Sequence, residues 1–160
     1  MITSLEALPK YLEARREGQT VVYTGGVFDM LHEGHLRLLR NARAQGDLTV
    51  VGVMADSRVS ALKGSSRPVQ PLCTRMAVLD ELRTVDFVFG LPTEAPEYRN
   101  IGHLVVSTLR PEVYLTGSPS YLQSQELFDT YGTRIVVAPT YAGTSTTEIL
   151  NRHYDRLAEA

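Results

Sequence analysis

Two histidines three residues apart, His32 and His35, follow a glycine-bearing turn in the stretch Thr24-Gly25-Gly26-Val27-Phe28-Asp29-Met30-Leu31-His32-Glu33-Gly34-His35. At a helix start, this i to i+3 spacing brings two side chains to one side of the first turn, beside free backbone amides and the positive end of the helix dipole. Such a place attracts anions. Gly34 removes a side chain between the two imidazoles, so a phosphate could approach the backbone closely. A triphosphate fits that arrangement. The same spacing is compatible with zinc ligation or with ordinary surface positions. Zinc wants at least a third protein ligand, and His103 and His153 lie in segments of helical pattern with no recognisable metal spacing. Metal-dependent hydrolysis is therefore the weaker account, and no residue is assigned as a metal ligand.

A second stretch able to do chemistry is Gly143-Thr144-Ser145-Thr146-Thr147-Glu148. Hydroxyls at a helix start beside free amides can cap the helix, and the same groups can hold phosphate. Phe28 and Asp29 read as organisers of the first loop, Phe28 by packing and Asp29 by hydrogen bonds to nearby backbone. Cys73 sits in an apolar helical segment, where a cysteine is more often core than catalytic. Nothing resembles an activated nucleophile, so direct transfer without a covalent intermediate is the simpler chemistry.

The elements that must position these groups alternate two hydrophobic periods. A short amphipathic helix over Leu5 to Arg16 precedes the β-branched run Val21 to Val27, which ends in the glycine turn as a buried strand would. A helix over Glu33 to Gln45, a strand over Leu48 to Ala55, a helix from Pro71 through Leu82 and a strand over Asp86 to Leu91 follow. Tyr98 to Leu109 is helical in pattern, Glu112 to Thr116 strand-like, Ser120 to Tyr131 helical, Arg134 to Pro139 strand-like, and Ser145 to Leu157 helical. This alternation predicts an α/β fold, a Rossmann-like doubly wound parallel sheet of five strands with helices on both faces. Ligands in that architecture bind outside the carboxyl ends of the strands, at the switch point of the strand order.

The chain has 160 residues, 43% of them hydrophobic, which is the length and apolar content of one domain. We read it as a single domain over residues 1–160, with a leading helix in 1–19 and an α/β core in 20–160. A net charge of -2 supplies no general field for a polyanion, so extended nucleic-acid contacts are not expected. One cysteine precludes an internal disulfide framework and multi-cysteine zinc sites. No run approaches membrane-spanning length and the charged N-terminus lacks a signal-peptide core, so a cytoplasmic protein without membrane contact is expected.

The stretch from Gly26 to His35 resembles the signature of the HxGH cytidylyltransferase-like nucleotidyltransferase superfamily, which includes glycerol-3-phosphate cytidylyltransferase and the adenylyltransferase domain of ADP-heptose synthase. Leu62-Lys63-Gly64, then Arg67-Pro68-Val69-Gln70-Pro71, then Arg75-Met76-Ala77-Val78-Leu79, are similar to the corresponding region of the heptose enzymes almost position by position, and so is Ser145-Thr146-Thr147. The resemblance covers nearly the whole chain and keeps three separated motifs in order. It implies transfer of AMP from ATP to a phosphorylated small molecule, a sugar phosphate such as heptose 1-phosphate, with release of pyrophosphate. It further implies Mg2+ entering with the nucleotide, and a homodimer.

Residue by residue, the resemblance implies that His32, His35 and Lys63 stabilise the transferring phosphates. Gly26, Val27, Phe28, Gly34, Gly117, Ser145, Thr146 and Thr147 are implied to contact the nucleotide, and Asp29, Arg67 and Arg75 the acceptor. Taken alone, Lys63-Gly64 reads as a solvated turn and Arg75 as an exposed helical arginine; a planar guanidinium fork at an acceptor phosphate is the functional alternative. Departures exist. After the fourth expected strand the heptose enzymes carry a Lys-Gly-Gly-Asp-Tyr-like segment, whereas this chain reads Thr116-Gly117-Ser118-Pro119-Ser120-Tyr121. The acidic pair of the cytidylyltransferases near this place is absent too, and Gly25 replaces an asparagine common in the heptose enzymes. The alternatives are accordingly a cytidylyltransferase using CTP and glycerol 3-phosphate or a related alcohol phosphate, and a nucleotide-binding protein without catalysis.

Overall fold

The computed structural model describes residues 1–15, 17–94, 100–139 and 146–150. Elements run in the order β1 (Ile2–Thr3), α1 (Leu8–Arg15), β2 (Val21–Gly26), α2 (Glu33–Gln45), β3 (Leu48–Val53), α3 (Asp56–Lys63), α4 (Leu72–Asp80), β4 (Phe87–Gly90), α5 (Ile101–Leu109), β5 (Val113–Thr116), α6 (Gln125–Asp129) and β6 (Arg134–Val137). A 3-10 helix, Pro119–Ser124, precedes α6, and residues 146–150 are helical. The five expected strands and the helical alternation are present. A sixth strand, β1, was not expected; two residues are too few for any periodic signal, and it is placed by parallel pairing of Ile2 with Val88 and Thr3 with Phe89. Helix α3 was not expected either. Its sequence, Asp-Ser-Arg-Val-Ser-Ala-Leu-Lys, buries only Val59, so it shows no apolar stripe.

The sheet is parallel throughout, in the order β1-β4-β3-β2-β5-β6. All six residues of β3 are buried, as a continuous Leu/Val run covered on both faces requires. One apolar layer joins Leu8 and Leu12 of α1, Val105 and Leu109 of α5 and Phe128 of α6 to Tyr23, Phe87 and Tyr114. The opposite face is closed by Leu39 and Ala42 of α2 and Leu79 of α4, over Val51, Val88, Val22 and Leu115. The chain leaves β2 towards β3 and β4, then returns to β5 on the other side, so the switch point lies between β2 and β5. Cys73, expected in the core, is exposed on α4. Among the described residues no helix is long and apolar enough to cross a membrane.

Candidate active site

At the carboxyl end of β2 the chain makes a tight loop in which Phe28 (φ 51°) and Met30 (φ 50°) take left-handed backbone conformations. Such conformations are costly for bulky residues and persist only where the surroundings enforce them. Burial enforces the first: Phe28 is 2% exposed, and its ring lies 3.0 Å from where a Cβ on Gly26 would stand. The position therefore accepts only glycine without displacing Phe28. His32 is the N-cap of α2 in extended conformation, and it makes no side-chain cap bond. The amides of the first turn are thus left for another acceptor.

Above that start, the His32 and His35 rings stack with centroids 3.7 Å apart and planes inclined by 25°, while Phe28 lies 5.2 Å from His35. Both Nδ1 atoms are buried without a hydrogen-bond partner among the described residues. Burial pushes the His35 imidazolium down to a pKa of about 4, with the positive charges of His32 and Lys63 adding to the effect and Asp29 partly opposing it. Burial lowers His32 as well, against the attraction of Glu148. Two neutral, partly desolvated imidazoles at an uncapped helix start form a preorganised donor set for an anion. Among the described residues no third protein ligand completes a metal site, and no group of three His, Cys, Asp or Glu could hold a metal ion; His103 is 3.1 Å from the Tyr131 hydroxyl, and His153 lies outside the described residues.

Around the imidazoles, Lys63 at the end of α3 and Thr147 line one open groove together with Ser66, Arg67 and Val69. Thr146 donates to the Asp29 carbonyl at 2.5 Å, which ties the helical residues 146–150 to the first loop. Ser145 lies outside the described residues. Gly34 sits in the first turn of α2, and Val27 leads into the loop. Gly117 follows β5 in open space, with nothing within 4 Å of a Cβ placed there.

Of the three residues expected at the acceptor, Asp29 and Arg75 are enclosed by protein partners and Arg67 borders the groove. Arg75 is buried, and four of its five N–H donors are engaged. Nε donates to Gln70 O at 3.0 Å, Nη1 to Val27 O at 2.5 Å, and Nη2 to Met54 O and Asp56 Oδ1, each at 2.7 Å. It clamps the ends of β2 and β3 to the starts of α3 and α4. It is neither a surface arginine nor a free fork for an acceptor phosphate. Asp29 is equally enclosed, accepting from the Val69 and Gln70 amides at 2.9 and 3.0 Å and from Arg67 Nε at 2.9 Å, with Arg67 Nη2 at 2.7 Å. Burial alone would raise the Asp29 carboxyl, but the two amides and the Arg67 guanidinium outweigh it and hold the carboxyl below its usual range. Asp29 organises the loop by these bonds, and at 1% exposed its carboxylate is enclosed by the protein. Arg67 borders the groove with its Nε and Nη2 edge turned to Asp29.

What the sequence reading missed lies on the other face of β2. Tyr23, Gly25, Arg58, Leu91, Tyr114 and Tyr121 help to line a cavity of about 90 Å³ at the ends of β2, β3 and β5. Its sequence signal is a glycine pair, Gly25 and Gly52, opposite each other in adjacent strands. Cβ atoms there would stand 2.4 and 2.6 Å from the Tyr23 hydroxyl, so the pair exists to admit that phenol.

Comparison with known proteins bears on what this geometry does. A family model described as cytidylyltransferase-like matches residues 23–152. The bifunctional protein HldE of Syntrophotalea carbinolica is 37% identical over 155 residues, covering 94% of this chain and 30% of that protein. HldE of Alcanivorax borkumensis is 36% identical over 143 residues, covering 88% of this chain and 29% of its own. The chain thus spans about a third of the length of the curated relatives it matches. Among solved structures, the lipopolysaccharide core biosynthesis protein from Thermoplasma volcanium superposes with a TM-score of 0.63 at 26% identity, covering 78% of this chain and 99% of that one. Pantoate-beta-alanine ligase from Francisella tularensis, with a TM-score of 0.63 at 16% identity and coverage of 88% and 67%, shares the fold.

Proposed function

Given that the chain belongs to the cytidylyltransferase-like family, we propose that it is a nucleotidyltransferase that moves AMP from ATP to a phosphorylated small molecule, a sugar phosphate such as heptose 1-phosphate. The observation that carries this reading is the stacked His32 and His35 pair, neutral and without Nδ1 partners among the described residues, at the uncapped start of α2 beside the switch point. A triphosphate laid there meets imidazole donors and backbone amides together.

In the proposed reaction an oxygen of the acceptor phosphate attacks the α-phosphorus. The new P–O bond forms as the bond to the oxygen bridging α and β breaks, and pyrophosphate leaves with that electron pair. A dianionic phosphate has no proton to surrender, so the work is positioning and charge stabilisation. His32 and His35 donate to the transferring group. Lys63 and Thr147, which share one groove, take phosphate oxygens with Ser145. Gly26, Val27, Phe28, Gly34 and Gly117 shape the nucleotide's path, and Thr146 holds the closing helix against the loop. Mg2+ entering with the nucleotide would supply charge neutralisation for the leaving pyrophosphate, and no side chain among the described residues is assigned to hold it. The working form is a homodimer, which sedimentation velocity checks.

The description of the matching family favours, as a second reading, CTP as donor with an alcohol phosphate as acceptor. Incubation of the pure protein with Mg2+, each triphosphate in turn and a panel of phosphorylated acceptors, with pyrophosphate recorded, separates the readings. Release with ATP and a sugar phosphate supports the first, and release with CTP alone the second. Nucleotide binding without release under any combination would leave a binding protein that does no chemistry.

A further inference from the structure

The two imidazoles at the start of α2 are the same group in different surroundings. His32 is the N-cap residue, whereas His35, inside the first turn, has the Phe28 ring 5.2 Å away. Phe28 is 2% exposed and holds a left-handed backbone, φ 51°, which is costly for a bulky residue and persists only where its surroundings over-determine it. The result is a fixed apolar ring against one member of the pair. We propose that the two imidazoles are unequal partners: Phe28 is a positioning residue that keeps His35 neutral, and His32 alone gains a proton, drawn from solvent, when a triphosphate seats. The proposal rests on the nucleotidyltransferase reading and deepens it.

Geometry sets the first limit. With ring centroids 3.7 Å apart, two imidazolium charges would repel each other strongly, so the stack carries one charge and not two. Neither Nδ1 has a partner among the described residues, so no carboxylate or carbonyl there fixes either tautomer in advance. Burial, the largest influence on both rings, lowers His32 and takes His35 down to about 4. Neighbouring charges widen the difference. Lys63, at the end of α3, repels a proton on His35, and Asp29, in the loop before α2, opposes that only in part, with its carboxylate bonded to Arg67 and two amides. Glu148, in the helical residues 146–150, attracts a proton to His32. On α2 itself, Glu33 and Arg37 pair with each other in solvent.

A seated triphosphate tips this balance. A phosphate charge about 4 Å from a ring favours its imidazolium by about 3 pH units at the dielectric typical near a protein surface, and by less where water screens it. His32, the more easily charged ring, responds first, and its charge then holds His35 neutral across the stack. The loaded site thereby offers two different donors. A charge-assisted bond from His32 meets the phosphate charge, while His35, fixed by Phe28, supplies direction.

The chain has four histidines, so their imidazole NMR signals, assigned with His32→Gln and His35→Gln, can be titrated from about pH 4 to about pH 8, both empty and saturated with α,β-methylene ATP and Mg2+. In the empty protein His35 should titrate near 4, below His32. Bound nucleotide should raise the His32 midpoint by about one pH unit or more, with His35 remaining the last of the pair to charge. Phe28→Leu, or Phe28→Met if the first does not fold, keeps an apolar side chain and removes the ring. It should raise the His35 midpoint of the empty protein by about one pH unit towards 6.5, and lower kcat about tenfold while ATP KM stays within about threefold. A His32 midpoint unmoved by nucleotide, a first proton taken by His35 instead, or a His35 midpoint unmoved in the folded Phe28 variant would each overturn the assignment. Nucleotide that shifts no histidine signal at all is a separate outcome, which sinks the transferase reading and this inference with it.

Discussion

Burial moves His35 well away from the acidity of an imidazole in water. Its ring lies beside both His32 and Phe28, and burial above all, with repulsion from Lys63 and from a protonated His32, holds its pKa near 4. Removing one preorganised donor from such a site costs about two orders of magnitude in turnover, so His35→Ala should lower kcat by about 100-fold while thermal melting shows a folded protein. A second consequence concerns stability. The folded pKa is depressed from 6.5, so between pH 6.5 and about 4 the unfolded chain binds more protons than the folded one. The contribution of the neutral ring is whole above pH 6.5 and is lost as pH falls towards 4. Urea midpoints should therefore decline over that window, and less steeply in His35→Gln. Of these residues, the histidine spacing was legible because chemistry and helix geometry both constrain it. The burial of Asp29, Arg67 and Arg75 was not, because it depends on partners 19 to 48 positions away.

Helices and strands set those partners. Arg75 on α4 reaches the carbonyls that end β2 and β3, Val27 O and Met54 O, and the Asp56 carboxylate that opens α3. Arg75→Met would leave three part-buried carbonyls and the Asp56 carboxylate without this donor, at about 1 kcal/mol or more each, so a loss of about 3 kcal/mol or more in denaturant titration is expected. ATP and acceptor binding should weaken together, because the loops of both move; a rise in acceptor KM alone, with stability intact, would restore Arg75 as an acceptor ligand. The strands β2 to β6 were visible as apolar runs bounded by glycine or polar turns, and α2 was placed to the residue. Helix α3 was hidden by its nearly uniform exposure and β1 by its shortness. The helix expected over Ser120 to Tyr131 begins as a 3-10 turn after Pro119, with α6 confined to Gln125–Asp129. Proline at the start and no buried residue in that first segment leave little packing to draw it into α-geometry.

On the scale of the molecule, strands from distant parts of the chain bring chemistry to one edge, the carboxyl ends around β2. Asp29 fastens that edge, accepting from residues 67, 69 and 70 through its carboxylate while its carbonyl receives Thr146. Asp29→Ala would leave the Arg67 guanidinium enclosed without its partner, which costs about 3–5 kcal/mol, and would loosen both walls of the groove. Nucleotide affinity should fall with stability, as calorimetry and thermal melting would record. The α/β class followed from alternation alone, whereas the place of the switch point required the strand order and the cavity required the register that sets Gly25 beside Gly52. The most direct measurement of the central claim is a crystal structure with α,β-methylene ATP and Mg2+. Phosphate oxygens within hydrogen-bonding reach of both the His32 and His35 rings at the start of α2 are the predicted result. Phosphates bound elsewhere, with those rings turned away or joined to a metal by a third protein ligand, would contradict it.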